Sequence, residues 1–161
     1  MRASWAIIGF AAAYLAAAAV PMETLWFAPG EPIFKDTVVG GDPELVFSRD
    51  IRRDAMIRYS VIIRNAEDKE VVCEWNGGPF KYLEQSGPLI GKTLGWWAPG
   101  DNRCAHLPVG TYYGQVEWTA VRPLGDLLPG FLKSPLGWLL PPKSVTREIM
   151  VFNILPVLEA P

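Results

Sequence analysis

Apolar and polar side chains alternate along three stretches of the chain, which is the pattern of strands with one buried and one exposed face. The stretches are Ala55–Arg64, Gly110–Val121 and Ser144–Leu155. Such half-buried strands are typical of antiparallel sheets. The side chains that this alternation places on the buried faces are Ile57, Tyr59, Val61 and Ile63, then Tyr112, Val116, Trp118 and Ala120, then Met150, Phe152 and Ile154.

Three shorter segments, Glu44–Ser48, Glu70–Trp75 and Leu89–Trp97, also have strand composition. The turn-forming residues Asn65–Asp68 predict a hairpin between the first alternating stretch and Glu70–Trp75. The sequence Asn76-Gly77-Gly78-Pro79 predicts the end of that second strand.

Glycine and proline content excludes a mainly helical fold. The 161 residues include fifteen prolines and fifteen glycines, which interrupt the chain too often for long helices. Short strands separated by turns predict an all-β fold, an antiparallel sandwich or a small barrel. Residues 25–161 are long enough for one domain with its own core.

The run Leu107-Pro108-Val109-Gly110-Thr111-Tyr112, followed by Val116 and Trp118, resembles the approach to the penultimate strand of immunoglobulin-like and fibronectin-type sandwiches. In those folds a Gly-x-Tyr step begins the strand and the tyrosine hydroxyl caps a corner. The resemblance covers about a dozen residues, and Gly114 stands where an immunoglobulin domain has cysteine. It therefore implies an immunoglobulin-like sandwich and no particular function.

An uncharged apolar segment, Trp5–Val20, follows Met1-Arg2 and precedes the first carboxylate at Glu23. As a helix it would span roughly 24 Å, less than the ~30 Å hydrocarbon core of a bilayer, which favours a signal peptide. Ala17 and Ala19 have the spacing of a cleavage site. Alternatively, the distance from Trp5 to Trp26-Phe27, roughly 32 Å as a helix, suits an uncleaved transmembrane anchor. Residues 1–24 are thus a signal peptide or an anchor.

Both interpretations export residues 25–161, because the positive charge at Arg2 stays in the cytoplasm. The predicted location is the inner membrane facing the periplasm, or the periplasm or exterior if the segment is cleaved. The formal charge of −2 and the scattered basic residues exclude nucleic acid as a partner.

Cys73 and Cys104 are the two cysteines of the chain. An exported protein meets an oxidising compartment, so a disulfide between them is expected. Closing a loop of about 30 residues would stabilise the fold by roughly 3.5 kcal/mol in the chain-entropy model. Two unpaired thiols held apart by the sheet are the alternative.

Candidate chemistry is sparse, and the sequence predicts no enzyme, no cofactor and no metal site. His106 is the one histidine, so neither a common zinc triad nor a two-histidine copper site can form. Any nucleophilic triad would have to combine His106 with Cys104 or with a distant serine. Acidic pairs such as Glu67-Asp68 are expected on a solvated face.

The segment 122–143, between the last two alternating stretches, is unusually apolar for a loop. Leaving its large side chains in water would cost roughly 1.5 to 3 kcal/mol each, so they must cover something. The insert either closes one end of the sandwich or docks on lipid headgroups or on a partner protein, with Lys133 and Lys143 at the rim. The residues predicted to dock are Leu127, Leu128, Phe131, Leu132, Leu136, Trp138 and Leu139.

These observations predict a membrane-anchored or exported interaction protein, such as an accessory subunit of an envelope or membrane complex, that docks through the insert. Its expected partners are the membrane and a protein of the cell envelope. The alternative is a free periplasmic or secreted module that binds a small ligand or carbohydrate on Trp96, Trp97 and Trp118. In a strand, adjacent Trp96 and Trp97 would point to opposite faces, with one in the core.

Overall fold

A computed structural model of the chain describes residues 2–123, 130, 139 and 141–157. Within these residues the chain forms four helices and nine strands. The helices are α1 (Arg2–Ala19), α2 (Met22–Leu25), α3 (Leu94–Trp97) and α4 (Asn102–Ala105). The strands are β1 (Phe27–Pro29), β2 (Ile33–Phe34), β3 (Thr37–Val38), β4 (Glu44–Ile51), β5 (Ala55–Asn65), β6 (Val71–Tyr82), β7 (Gln85–Thr93), β8 (Gly110–Ala120) and β9 (Lys143–Leu155).

The strands belong to two sheets that enclose one core. In the small sheet, β4 pairs with β7 on one side and with β1 and β2 on the other. The large sheet has the order β3-β9-β8-β5-β6. All of these pairs are antiparallel except β3 with β9, which is parallel. The prediction of an all-β fold behind one N-terminal helix is confirmed.

The finer prediction, an immunoglobulin-like sandwich, is not confirmed, because the large sheet curls into a half-barrel. Register shifts interrupt the β5–β6 ladder twice and the β8–β9 ladder once. An extra residue on one strand bends it and increases its twist, so irregularities in the ladders of the four long strands fit a curled sheet.

The hairpin of β5 and β6 is confirmed, but the predicted end of β6 is wrong. The strand continues through Asn76-Gly77-Gly78-Pro79 to Tyr82. The β5–β6 register shifts opposite these residues, between Ile57 and Tyr59, and Gly78 has a φ of 95°. Glycine adopts this conformation without a steric penalty, so the turn-like residues form an irregularity inside the ladder.

The prediction of a single strand over Leu89–Trp97 is also wrong, because β7 ends at Thr93 and α3 follows. The Thr93 hydroxyl accepts a hydrogen bond from the backbone N–H of Trp96, which caps this short helix. Trp97 is buried and Trp96 is 52 % exposed. One tryptophan of the pair is therefore core, as predicted, although it lies on a helical turn.

Met150 was predicted to face the core but is 58 % exposed. Tyr112 pairs with Phe152 and Gly114 pairs with Ile149, so one residue of β8 lies opposite Met150 and Val151 of β9. The additional residue shifts the alternation by one position, which turns Ile149 inward and Met150 outward. The other predicted inward residues of the three alternating stretches are buried.

Aromatic side chains fill the space between the sheets. Trp118 of the large sheet lies 5.5 Å from Phe27 and 5.2 Å from Phe47 of the small sheet, measured between ring centroids. Near the start of β8, the hydroxyl of Tyr112 donates a hydrogen bond to the carbonyl of Pro108 at 2.8 Å. This core holds together two sheets that share no ladder.

Candidate docking pole

Four segments meet at one end of the two-sheet domain, which we call the basal pole. They are the end of α1 with α2, the β4–β5 loop at residues 52–54, the β6–β7 loop at residues 83–84, and the two ends of the apolar insert. The pairing of Ala55 with Tyr82 and of Ala120 with Lys143 places the loops and the insert at the same end of the large sheet.

The helix α1 projects an apolar surface from this pole. All its side chains from Trp5 to Leu15 are exposed, with Trp5 at 73 % and Phe10 at 65 %. A helix that is hydrophobic on every side is stable where lipid or protein surrounds it. In the part of the chain that the structure describes, no helix has both the length and the hydropathy required to cross a membrane.

The residues after α1 are part of the core. Met22 and Trp26 are almost completely buried, and Phe27 is fully buried between Tyr82 and Trp118. The backbone N–H of Arg52 donates to the carbonyl of Trp26 at 2.9 Å, which ties this segment to the β4–β5 loop. The base of α1 is therefore fixed to the domain.

Both ends of the insert bond to the same segment. The indole N–H of Trp26 donates to the carbonyl of Pro123 at 3.2 Å in a buried contact. At the other end, the Lys143 ammonium donates to the carbonyl of Ala18 in the last turn of α1. A cation at a helix C-terminus satisfies an unpaired carbonyl and favours the helix dipole. The structure thus places Pro123 and Lys143, the two described ends of the insert, against the segment from Ala18 to Trp26.

Charged side chains reinforce the pole. Arg147 of β9 pairs with Glu23 of α2 and also donates to the carbonyl of Pro29 at 3.3 Å. Arg52 pairs with Asp50 at 2.9 Å and donates to the carbonyl of Thr24 at 3.1 Å. These bonds connect both sheets to the segment that follows α1.

Tyr82, the last residue of β6, lies partly buried at the basal pole. Burial raises the pKa of its phenol to about 12, and the positive charge of Arg49 partly opposes this shift. The Arg49 guanidinium lies 5.8 Å from the Tyr82 ring centroid. The phenol therefore stays neutral at any physiological pH, and Arg49 contributes a cation–π contact.

A matched pair of indoles tests the Trp26 contact. Trp26 and Trp118 are both buried, but only Trp26 has a hydrogen-bond acceptor within the described residues. Replacing each with Phe removes similar volume, while Trp26→Phe also leaves the Pro123 carbonyl unpaired. We expect Trp26→Phe to cost about 1 to 2 kcal/mol more unfolding free energy than Trp118→Phe.

Urea unfolding followed by near-UV circular dichroism measures both variants. Equal losses would show that the Trp26–Pro123 bond contributes nothing to stability.

Most of the predicted docking residues lie outside the described part of the chain: Leu127, Leu128, Phe131, Leu132, Leu136 and Trp138. Leu139 is described and is 39 % exposed. Their docking role stays a prediction. What the structure adds is the position of the insert's two ends: Lys143 bonds to the last turn of α1, and Pro123 bonds to Trp26 just after α2.

The predicted disulfide is confirmed. Cys73 of β6 and Cys104 of α4 are bonded, and both are buried. Because the bonded sulfur of Cys104 is no thiolate, it cannot act with His106 as a nucleophilic dyad. Among the described residues, no three His, Cys, Asp or Glu side chains are grouped so that they could hold a metal ion.

Two of the three tryptophans predicted to bind a ligand are core residues. Trp97 and Trp118 are buried and cannot contact a ligand in this conformation. Trp96 stays available, with the Lys92 ammonium 5.2 Å from its ring centroid and the Trp97 ring against it. A ligand surface that uses aromatic side chains would therefore centre on Trp96.

The contacts that build the pole were not predicted. Trp26 was considered only as a membrane-interface residue, and Lys143 only as part of the rim of the insert. A single sequence carries no signal for a bond between residues 97 or 125 positions apart. The one available hint was Lys143 itself, a charge at the start of an otherwise half-buried strand.

The chain is therefore a disulfide-bonded β domain of two sheets, preceded by an N-terminal apolar helix. No protein-family model, curated protein or solved structure matches it.

Proposed function

We propose that the protein is an exported interaction module that docks on a membrane through its basal pole and presents the rest of the domain to a protein of the cell envelope. The observation that carries this proposal is that both described ends of the apolar insert bond to the segment from Ala18 to Trp26, where α1 joins the domain. An exposed apolar helix that leaves the domain where an apolar segment of sequence begins and ends is suited to a membrane interface.

The fixed base of α1 supports the same function. If the helix inserts in a membrane, the buried residues Met22 and Trp26 hold the sandwich in one orientation relative to it. If the helix is removed as a signal peptide, the insert and the basic side chains of the pole stay in place. The proposal therefore covers both interpretations of residues 1–24.

We further infer an immunoglobulin-like arrangement for the sandwich, modified by the curl of the large sheet. In support, the order β3-β9-β8-β5-β6, with β3 parallel to β9, matches the sheet order of variable-type domains. The Tyr112 hydroxyl bonded to the Pro108 carbonyl resembles the tyrosine corner of such folds. Immunoglobulin-like domains commonly serve recognition on cell surfaces, which suits an interaction module.

Replacing apolar insert residues with serine tests the docking. In the triple variant Phe131→Ser, Leu132→Ser and Trp138→Ser, we expect the protein to move from the membrane to the soluble fraction of its host. The physical reason is the loss of roughly 1.5 to 3 kcal/mol of apolar contact per side chain. Intact mass without reductant, measured in both fractions, also reports whether α1 is retained.

The matched control replaces Met150 and Val151, exposed apolar residues on the outside of the large sheet, with serine. Membrane association of this control should be unchanged. Near-UV circular dichroism checks the fold of each variant. A triple variant that stays folded and membrane-bound although its mass shows that α1 is absent contradicts docking by the insert, and one that unfolds shows that the insert closes the core.

Binding of a small ligand or carbohydrate is the second candidate function. Exposed Trp96 favours it, because the Tyr59 hydroxyl donates to the Trp97 carbonyl at 2.8 Å and holds the α3 turn that presents Trp96. The same mass measurement separates the two candidates. A soluble protein that lacks about 19 residues would favour ligand binding over docking.

A further inference from the structure

Basic side chains are concentrated in the basal half of the domain. We divide the sandwich at the row of paired residues Val61, Val116 and Arg147. On the basal side and on the row, eight basic and five acidic described residues give a net charge of +3. They are Arg49, Arg52, Arg53, Arg58, Lys81, Arg122, Lys143 and Arg147, with Glu23, Asp50, Asp54, Glu84 and Glu117.

The distal half has the opposite balance. Five basic and nine acidic described residues give a net charge of −4, while Arg2 at the start of α1 and Glu31, between the two short strands β1 and β2, belong to neither group. The distal residues are Lys35, Arg64, Lys69, Lys92 and Arg103, with Asp36, Asp42, Glu44, Glu67, Asp68, Glu70, Glu74, Asp101 and Glu148. The weak overall charge of −2 thus hides a charge separation along the domain.

Two of the basal arginines are available for a new partner. Arg53, at the tip of the β4–β5 loop, and Arg58, on the outside of β5, are exposed and have no salt bridge within the described residues. Both lie at the end where the exposed apolar helix leaves the domain. A basic cluster beside an apolar membrane segment is the usual arrangement for attraction to anionic lipid.

From this juxtaposition we propose that the basal pole binds an anionic lipid surface, with Arg53 and Arg58 against headgroup phosphates and the exposed apolar side chains of α1 in the interface. The inference rests on the proposed docking function and names its partner. The acidic distal half is repelled by the same surface, so the charge separation orients the domain as well as binding it.

Sedimentation of the full chain with lipid vesicles tests this inference. One set of vesicles is pure phosphatidylcholine, and the other contains one quarter phosphatidylglycerol. We expect at least tenfold tighter binding to the anionic vesicles in 0.1 M salt, a preference that 0.5 M salt removes by screening.

The double variant Arg53→Gln and Arg58→Gln should remove that preference, since each basic side chain near the surface contributes on the order of fivefold in affinity and the two together roughly 25-fold. The variant Lys92→Gln and Arg103→Gln removes the same charge from the distal end and should bind like the unchanged protein.

Equal, salt-insensitive binding to both kinds of vesicle would overturn the anionic-lipid inference and leave the proposed docking intact. An equal loss of vesicle affinity in the basal and distal variants would also overturn the anionic-lipid inference and leave the proposed docking intact. Failure to bind either vesicle would overturn the inference and the docking function together.

Discussion

Replacing both cysteines with alanine, Cys73→Ala with Cys104→Ala, should lower the unfolding free energy by roughly 3.5 kcal/mol. The disulfide joins residues 31 positions apart, and its loss gives the unfolded chain more conformational freedom. It also releases α4 from the distal end of β6, where both sulfurs are buried. Urea unfolding monitored by tryptophan fluorescence measures the change.

Reduction provides the control for the double variant. Unfolding in the presence of a reductant should bring the natural protein to the stability of the variant and leave the variant itself unchanged. A loss below about 1 kcal/mol would show that the unfolded chain gains little freedom without the crosslink, contrary to the loop-entropy estimate.

Gly114→Ala should cost about 2 to 3 kcal/mol, because a Cβ at this position has no room. It would lie 2.2 Å from the backbone oxygen of Ile62 and 2.9 Å from the Cδ1 atom of Ile63. Backbone atoms of a central strand cannot move without breaking its ladder. Thermal and urea unfolding of the variant measure the effect.

Gly91→Ala is the matched control, since it also places a Cβ in a strand, 2.1 Å from the Glu44 carboxylate oxygen. That oxygen ends a flexible, partly exposed side chain that can rotate away, so we expect a change within about 0.5 kcal/mol. Equal losses of stability in the two variants would show that the close approach of the Ile62 oxygen is not the reason why position 114 requires glycine.

The Gly114 position also explains why an immunoglobulin-like cysteine is absent there. The disulfide of this chain joins β6 to α4, instead of joining the two sheets through β8. The close approach of the Ile62 backbone oxygen leaves no space for a larger side chain at position 114 of β8. The resemblance around Tyr112 therefore predicted the tyrosine contact without predicting the crosslink.

Local patterns predicted the long strands because alternation with a period of two depends on neighbouring residues alone. They failed where a register shift changes the period, as at Met150, and where glycine and proline are accommodated inside a ladder, as at Gly78. They also missed β1, β2 and β3, strands of two or three residues that exist only through their pairing with β4 and β9.

The sequence by itself determined the strand-rich fold, the apolar N-terminal helix, the apolar insert and a cysteine pair able to form a disulfide. Each of these depends on composition or on spacing along the chain. The tertiary structure alone decided that Lys143 reaches the end of α1 and that Trp26 holds Pro123. It also decided that the basic residues gather at that end, because contacts between distant segments depend on how the two sheets pack.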